Sequence, residues 1–186
     1  MSGLRRGFKA EATRLADEIR QELGLSPFDP LNPSVLAEYL EVPITPLSDI
    51  RHLATGASHF LNDAQEVFSA ATVFDGPRRA ILHNDSHAAP RQNSNLAHEL
   101  SHALLMHPAT PAIDDLGCRY WDQQIEGEAD WLAGVMLVPD VAAISIARGR
   151  WGTVVEAAQH FGVSTKMVNY RLNVTGAYRR AFARVS

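Results

Sequence analysis

Between residues 8 and 23 the apolar positions Phe8, Ala12, Leu15, Ile19 and Leu23 recur at helical spacing, so the chain is expected to open with an amphipathic helix. SPFDPLNPS, with three prolines, breaks that pattern before a shorter helical stretch over residues 35–40. The period then shortens. AATVFDGPRRAILHN reads as two β runs, residues 71–74 and 80–83, joined by the turn Asp75-Gly76-Pro77. Helical periodicity returns in NLAHELSHALL, which is expected to start after the cap candidates Asn93 and Ser94 and to stop at Pro108. Another helix is expected over about residues 122–137, ending before Pro139. Near the C-terminus, EAAQHFGVSTKMVNYRL reads as helix, glycine-containing turn, helix, with Ala157, Phe161, Gly162, Val163 and Val168 where a helix-turn-helix packs its two helices. The pattern implies an α+β fold: a small β-sheet packed on a histidine-bearing helix and the helix after it, followed by a helix-turn-helix-like C-terminal segment. No internal repeat or low-complexity run interrupts it.

Composition narrows the picture without changing it. At 186 residues the chain is long enough to bury a core without covalent staples. The expected division is a core over residues 1–140 and a basic helical subdomain over residues 141–186. With 46% hydrophobic and 20% charged residues it matches a globular protein, and no run approaches the roughly 18 consecutive apolar residues of a membrane span. MSGLRRGFKAEATRLADEIRQEL lacks the apolar stretch of a secretory signal, so a cytoplasmic location is expected. The single cysteine, Cys118, rules out an internal disulfide and a cysteine-based zinc cage, leaving histidine and carboxylate as the available metal ligands.

Those ligand types stand together in AHELSHA. Residues i and i+4 lie about 40° apart around a helix, so His98 and His102 project the same way and their imidazoles can converge on one ion. Glu99, about 100° from His98, can reach a water at that ion without displacing a ligand. With eight histidines and ten glutamates, chance would produce roughly 0.02 such HExxH patterns in a chain of this length. Leu96, Leu100, Ala103 and Leu104 form an adjoining apolar stripe that can seat the helix in the core.

A catalytic zinc site usually has three protein ligands, so a third is expected elsewhere. An extended HExxHxxGxxH pattern is excluded, because its glycine and last histidine positions are Leu105 and Pro108. His107 falls about 180° from His98 if the helix continues, and is not expected to join the site. In QIEGEADWLAGVMLVP, Glu126 and Asp130 share a helical face: Glu126 can ligate while Asp130 accepts the ring N–H of a ligand histidine. Glu128 is the rival. Both glutamates flank the stripe Ile125, Ala129, Leu132, Met136, one on each side, and periodicity leaves the choice open.

NLAHELSHALLMH followed by IEGEADWLAGVMLVP resembles the ImmA/IrrE family of zinc metallopeptidases, whose pattern is roughly AHELGH with a trailing LLH, then E-x-E/Q-A-N/D-x-F-A and a closing LLMP. Ser101 stands at the usual glycine, Ser94 where an aromatic is common, and Trp131-Leu132-Ala133 in place of x-Phe-Ala. The resemblance favours Glu126 over Glu128 as the third ligand. It implies a gluzincin-like peptidase with zinc held by His98, His102 and Glu126, and Asp130 behind a ligand histidine. Zinc would acidify a water and polarise the scissile carbonyl, while Glu99 takes the proton and delivers it to the leaving amine. The implied substrate is a helix-turn-helix transcriptional repressor, cut at one site in a stress response or mobile-element induction.

The competing reading is a DNA- or protein-binding regulatory module with a structural zinc. Residues 141–186 hold seven basic groups and one acid, which suits an acidic partner or simply a solvated face. Hairpins of two helices are also common scaffolding, so DNA binding is not expected. His83 and His87 are expected to be loop histidines around a polar NDS turn, and Cys118 an incidental thiol. Tyr120 and His107 are candidates to stabilise a tetrahedral intermediate, but neither is assigned to the site.

Overall fold

The computed structural model describes residues 3–53, 55–76, 78–108 and 122–183. Cys118 and Tyr120 lie outside the described residues. The N-terminal helix α1 (Phe8–Glu22) buries Phe8, Ala12, Ala16 and Ile19, and α2 (Pro33–Tyr39) follows the proline-rich break, capped by the Asn32 side chain accepting from the Ser34 N–H. β1 (Ile44–Pro46), α3 (Leu47–Ile50) and α4 (Thr55–Asn62) lead to the hairpin of β2 (Ala70–Asp75) and β3 (Arg78–His83). β2 and β3 pair antiparallel, with Thr72 opposite Ile81 and Val73 opposite Ala80. The hairpin runs close to its expected bounds. β1, which alternation did not reveal, adds a parallel pairing, Ile44 to Ile81, and gives the sheet the order β1-β3-β2.

The sheet lies against α5 (Ala89–Leu104), and α5 packs in turn on α6 (Gln123–Leu137), which α1 covers from the other side. Helix α6 is the centre of the core: Leu132, Met136 and Leu137 are wholly buried, each worth about 1.5–3 kcal/mol of apolar transfer. It starts within a residue of its expected bound, with the Asp122 carboxylate accepting from the Gln124 and Ile125 N–H groups.

α5 departs from expectation. It begins at Ala89, not after Asn93 and Ser94, and no side chain caps it. Pro90 in the first turn has the required φ already set and has no N–H to satisfy, so the helix starts a turn earlier. Inside the helix Ser94 Oγ donates to the Pro90 carbonyl, and Asn93 Nδ2 reaches across to the Gly162 carbonyl at 2.8 Å. His87 lies in the loop between β3 and α5, as expected, but His83 does not. His83 ends β3, both are buried, and His87 Nε2 sits 2.8 Å from the Gln65 carbonyl oxygen.

Beyond α6 come α7 (Asp140–Ala147), α8 (Val154–Phe161), α9 (Thr165–Val174) and α10 (Ala177–Phe182). A capping box between Thr153 and Glu156 starts α8, and Gly162 at φ 63° makes the left-handed turn into the Ser164 cap of α9. This is the expected helix-turn-helix-like segment. Two buried arginines tie the ends of the chain to the C-terminus of α6, whose last carbonyls have no partner within the helix. Arg20 of α1 donates to the Met136 carbonyl at 2.7 Å and to those of Ser26 and Asp29. Arg171 of α9 donates through Nε to the Val138 carbonyl at 3.0 Å and through Nη2 to Asp140 at 2.6 Å.

Candidate metal centre

α5 turns Leu96, Ala97, Leu100 and Ser101 into the core, which leaves His98, Glu99 and His102 half-buried along its flank. The imidazoles of His98 and His102 meet at Nε2, 3.1 Å apart. From α6, Glu126 brings Oε2 to 3.3 Å from His98 Nε2 and Oε1 to 3.8 Å from His102 Nε2. Ligand atoms of these three residues all lie within 4.8 Å of one another, the arrangement of a group able to hold a metal ion. Ligands at 2.0–2.1 Å on the corners of a tetrahedron are separated by about 3.3 Å, so this donor set fits zinc in both chemistry and spacing.

The two glutamates that periodicity could not separate go to different places. Two residues along a helix is a turn of about 200°, so Glu128 leaves the face that Glu126 occupies. Glu128 is buried, with Oε1 3.2 Å from Arg5 Nε and 3.3 Å from Gln124 Nε2, and Oε2 3.7 Å from His107 Nε2. Asp130, one turn beyond Glu126, accepts from His98 Nδ1 at 2.8 Å. Glu99 points toward the sheet, where Thr72 Oγ1 donates to its Oε2 at 2.6 Å.

The electrostatics follow from this crowding. Burial alone would push the His98 imidazole down, but its hydrogen bonds to Asp130 and Glu126 prevail and raise its pKa to about 10. His102 moves the other way, to about 4, through burial and the neighbouring positive charge of His98. The hydrogen bond from His98 lowers Glu126 from the ordinary carboxylate value. Metal-free, the cluster therefore carries a cation on His98 between two carboxylates.

Two neighbours of the site, Thr72 and Arg79, carry no signal in the sequence, and a third, His107, lies elsewhere than its helical spacing implies. A threonine on a strand is unremarkable, and only the sheet's packing against α5 brings Thr72 to Glu99. Arg79 of β3 donates to the His107 carbonyl at 3.3 Å, and burial lowers its pKa against the pull of Glu99. His107 was set aside on the angle it would have in a continuing helix. The helix ends at Leu104, and the His107 ring lies beside His102 with its Nδ1 2.9 Å from His102 Nδ1. The histidine that closes NLAHELSHALLMH, near the trailing LLH of the family pattern, is the signal the sequence carries.

No curated protein matches this sequence. The family model of the IrrE N-terminal-like domain, a peptidase family, matches residues 53–173, a span holding the hairpin, both site helices and nearly all of the helix-turn-helix-like segment. With about two thirds of the chain matched, including every residue of the histidine and glutamate cluster, this protein belongs to the ImmA/IrrE family of IrrE N-terminal-like peptidases.

Proposed function

We propose that the protein is a zinc-dependent endopeptidase in which His98, His102 and Glu126 hold the metal and Glu99 is the general base. The carrying observation is the convergence of the two imidazole Nε2 atoms, 3.1 Å apart, with the Glu126 carboxylate, whose Oε2 is 3.3 Å from His98 and whose Oε1 is 3.8 Å from His102, against the roughly 3.3 Å edge of a zinc tetrahedron. Bound zinc would polarise the scissile carbonyl and acidify the attacking water. Glu99 takes the proton of that water and returns it to the leaving amine, while the hydrogen bond from Thr72 to one carboxylate oxygen holds its orientation. Asp130 holds the Nδ1–H of His98, leaving Nε2 free to ligate.

β2 lies at the edge of the sheet and carries Thr72, so an extended peptide added to that edge would pass Glu99. A groove of about 850 Å³ lined by Val73, Phe74, Arg79, Ala103 and Leu104, among others, offers apolar contacts next to it. The family points to a helix-turn-helix repressor in the cytoplasm as the substrate, cut once to release genes in a stress response or mobile-element induction. Co-expression of wild type and Glu99→Gln with the nearest encoded repressor, followed on a gel, tests the reading. Glu99→Gln keeps shape and zinc, and cleavage should fall by about 10² to 10⁴. Equal cleavage by the two proteins rejects Glu99 as the base.

A further inference from the structure

Each metal-facing imidazole has a second ring nitrogen, and what that nitrogen meets decides which tautomer is present. For His98 the partner is a carboxylate, Asp130. For His102 it is another histidine. His102 Nδ1 and His107 Nδ1 are 2.9 Å apart, with the rings edge to face at 5.0 Å. His107, half-buried, in turn packs beside the buried Glu128, whose Oε2 is 3.7 Å from its Nε2.

The backbone that delivers His107 is unusual. After the C-cap Leu105, Met106 adopts φ 53°, the left-handed conformation in which glycine is the common residue. The Met106 N–H bonds the Ala103 carbonyl and the His107 N–H bonds the His102 carbonyl, both at 3.0 Å, which is the hydrogen-bond pair of a Schellman turn. A left-handed non-glycine residue costs about 1–2 kcal/mol. Met106 itself is 85% exposed, so packing of its side chain does not explain the strain. The turn's product is the reversal that folds the His107 ring back beside His102.

We propose that His107, with its Nε2 facing Glu128, is a positioning residue that selects the metal-binding tautomer and ring orientation of His102. This rests on the reading of His102 as a metal ligand. To ligate, His102 Nε2 must offer a lone pair, so the ring proton must sit on Nδ1. That proton needs an acceptor, and His107 Nδ1 is at hydrogen-bond distance. His107 can accept there only if its own proton is on Nε2, the atom facing Glu128. A carboxylate only accepts, so Glu128 favours that arrangement, while Arg5 and Gln124 donate to its other oxygen and offset its burial. The opposite assignment would put a proton on His102 Nε2 and turn it away from the metal.

The test is zinc affinity of the full chain, stripped with a chelator and titrated against a chromophoric competitor. His107→Ala should bind zinc about 10- to 100-fold more weakly than wild type. Asn and Gln separate positioning from packing. The Oδ1 of His107→Asn stands near the place of Nδ1 and can accept from His102, so affinity should return to within a few-fold of wild type. The amide of His107→Gln lies further out, toward Glu128, and affinity should stay as low as in His107→Ala. Equal affinities for the Asn and Gln variants, whether high or low, overturn the proposal, and so does wild-type affinity in His107→Ala. If the Ala variant does not fold, the Asn and Gln pair still decides. His102→Ala is the control: wild-type affinity there rejects the metal-site reading itself, whereas loss there with no effect at His107 rejects only the positioning role.

Discussion

His98 Nδ1 and Asp130 Oδ1 are 2.8 Å apart, across the interface between α5 and α6. The bond joins the histidine motif to the acidic motif and gives the His98 ring one hydrogen-bonded orientation, with Nε2 turned toward His102 and Glu126. Because Asp130 is largely exposed, its effect is one of orientation more than of buried charge.

Variants of the acidic motif should therefore rank by what they touch. Glu126→Ala should lose most of the bound zinc, since under the proposed function it removes one of three ligands. Asp130→Ala should weaken zinc by about 10- to 100-fold, and Asp130→Asn, which retains an acceptor oxygen, by less. Metal analysis of the purified variants after dialysis against a weak chelator gives the order, and a larger loss in Glu128→Ala than in Glu126→Ala would contradict it.

Metal binding should release a proton. Below about pH 10 the metal-free His98 carries a proton that a ligand cannot keep, while His102 is neutral above about pH 4. Between those limits the apparent zinc affinity should rise about tenfold per pH unit, with about one proton released per ion. For the metal-free fold the sign is the reverse: the raised His98 pKa contributes stability that is complete below its ordinary 6.5 and is lost as pH rises toward 10. Calorimetry in buffers of different ionisation enthalpy counts the proton, and zero release at pH 7 would show that His98 is already neutral.

Arg171 is wholly buried, and its replacement should be severe. Arg171→Ala leaves the Val138 carbonyl without its donor and Asp140 without its main cation, a change of about 3–5 kcal/mol for a broken buried pair. Urea unfolding measures it, and a loss below about 1 kcal/mol would mean that water replaces the guanidinium at no penalty.

The helix-turn-helix-like segment should bind DNA only weakly and without sequence preference, and binding should vanish at moderate salt, as phosphate contacts alone require. One of its basic residues, Arg171, is spent inside the protein and cannot face a groove. Titration of a labelled duplex at several salt concentrations checks this. A footprint that survives salt would favour the regulatory-module reading instead.

Local chemistry makes much of this molecule legible in its sequence. The i, i+4 spacing places His98 and His102 on one face of any helix they occupy, and the alternation around Asp75-Gly76-Pro77 marks a hairpin, because both periods are properties of the backbone itself. Asp122 and Pro139 bracket α6 for equally local reasons. The parallel partner β1 was hidden, since three residues carry no periodic signal and their pairing with β3 spans 37 positions. Glu126 and Glu128 were equivalent by period and became distinct only when α5 packed on α6, turning one carboxylate toward the histidines and the other toward Arg5 and His107. His107 itself changed place because a left-handed Met106 ended the helix, and a non-glycine residue gives no warning of that conformation. Spacing along the chain thus determined which groups share a face. Which partner each group meets depended on how the helices and the sheet packed, because those contacts join residues far apart in sequence.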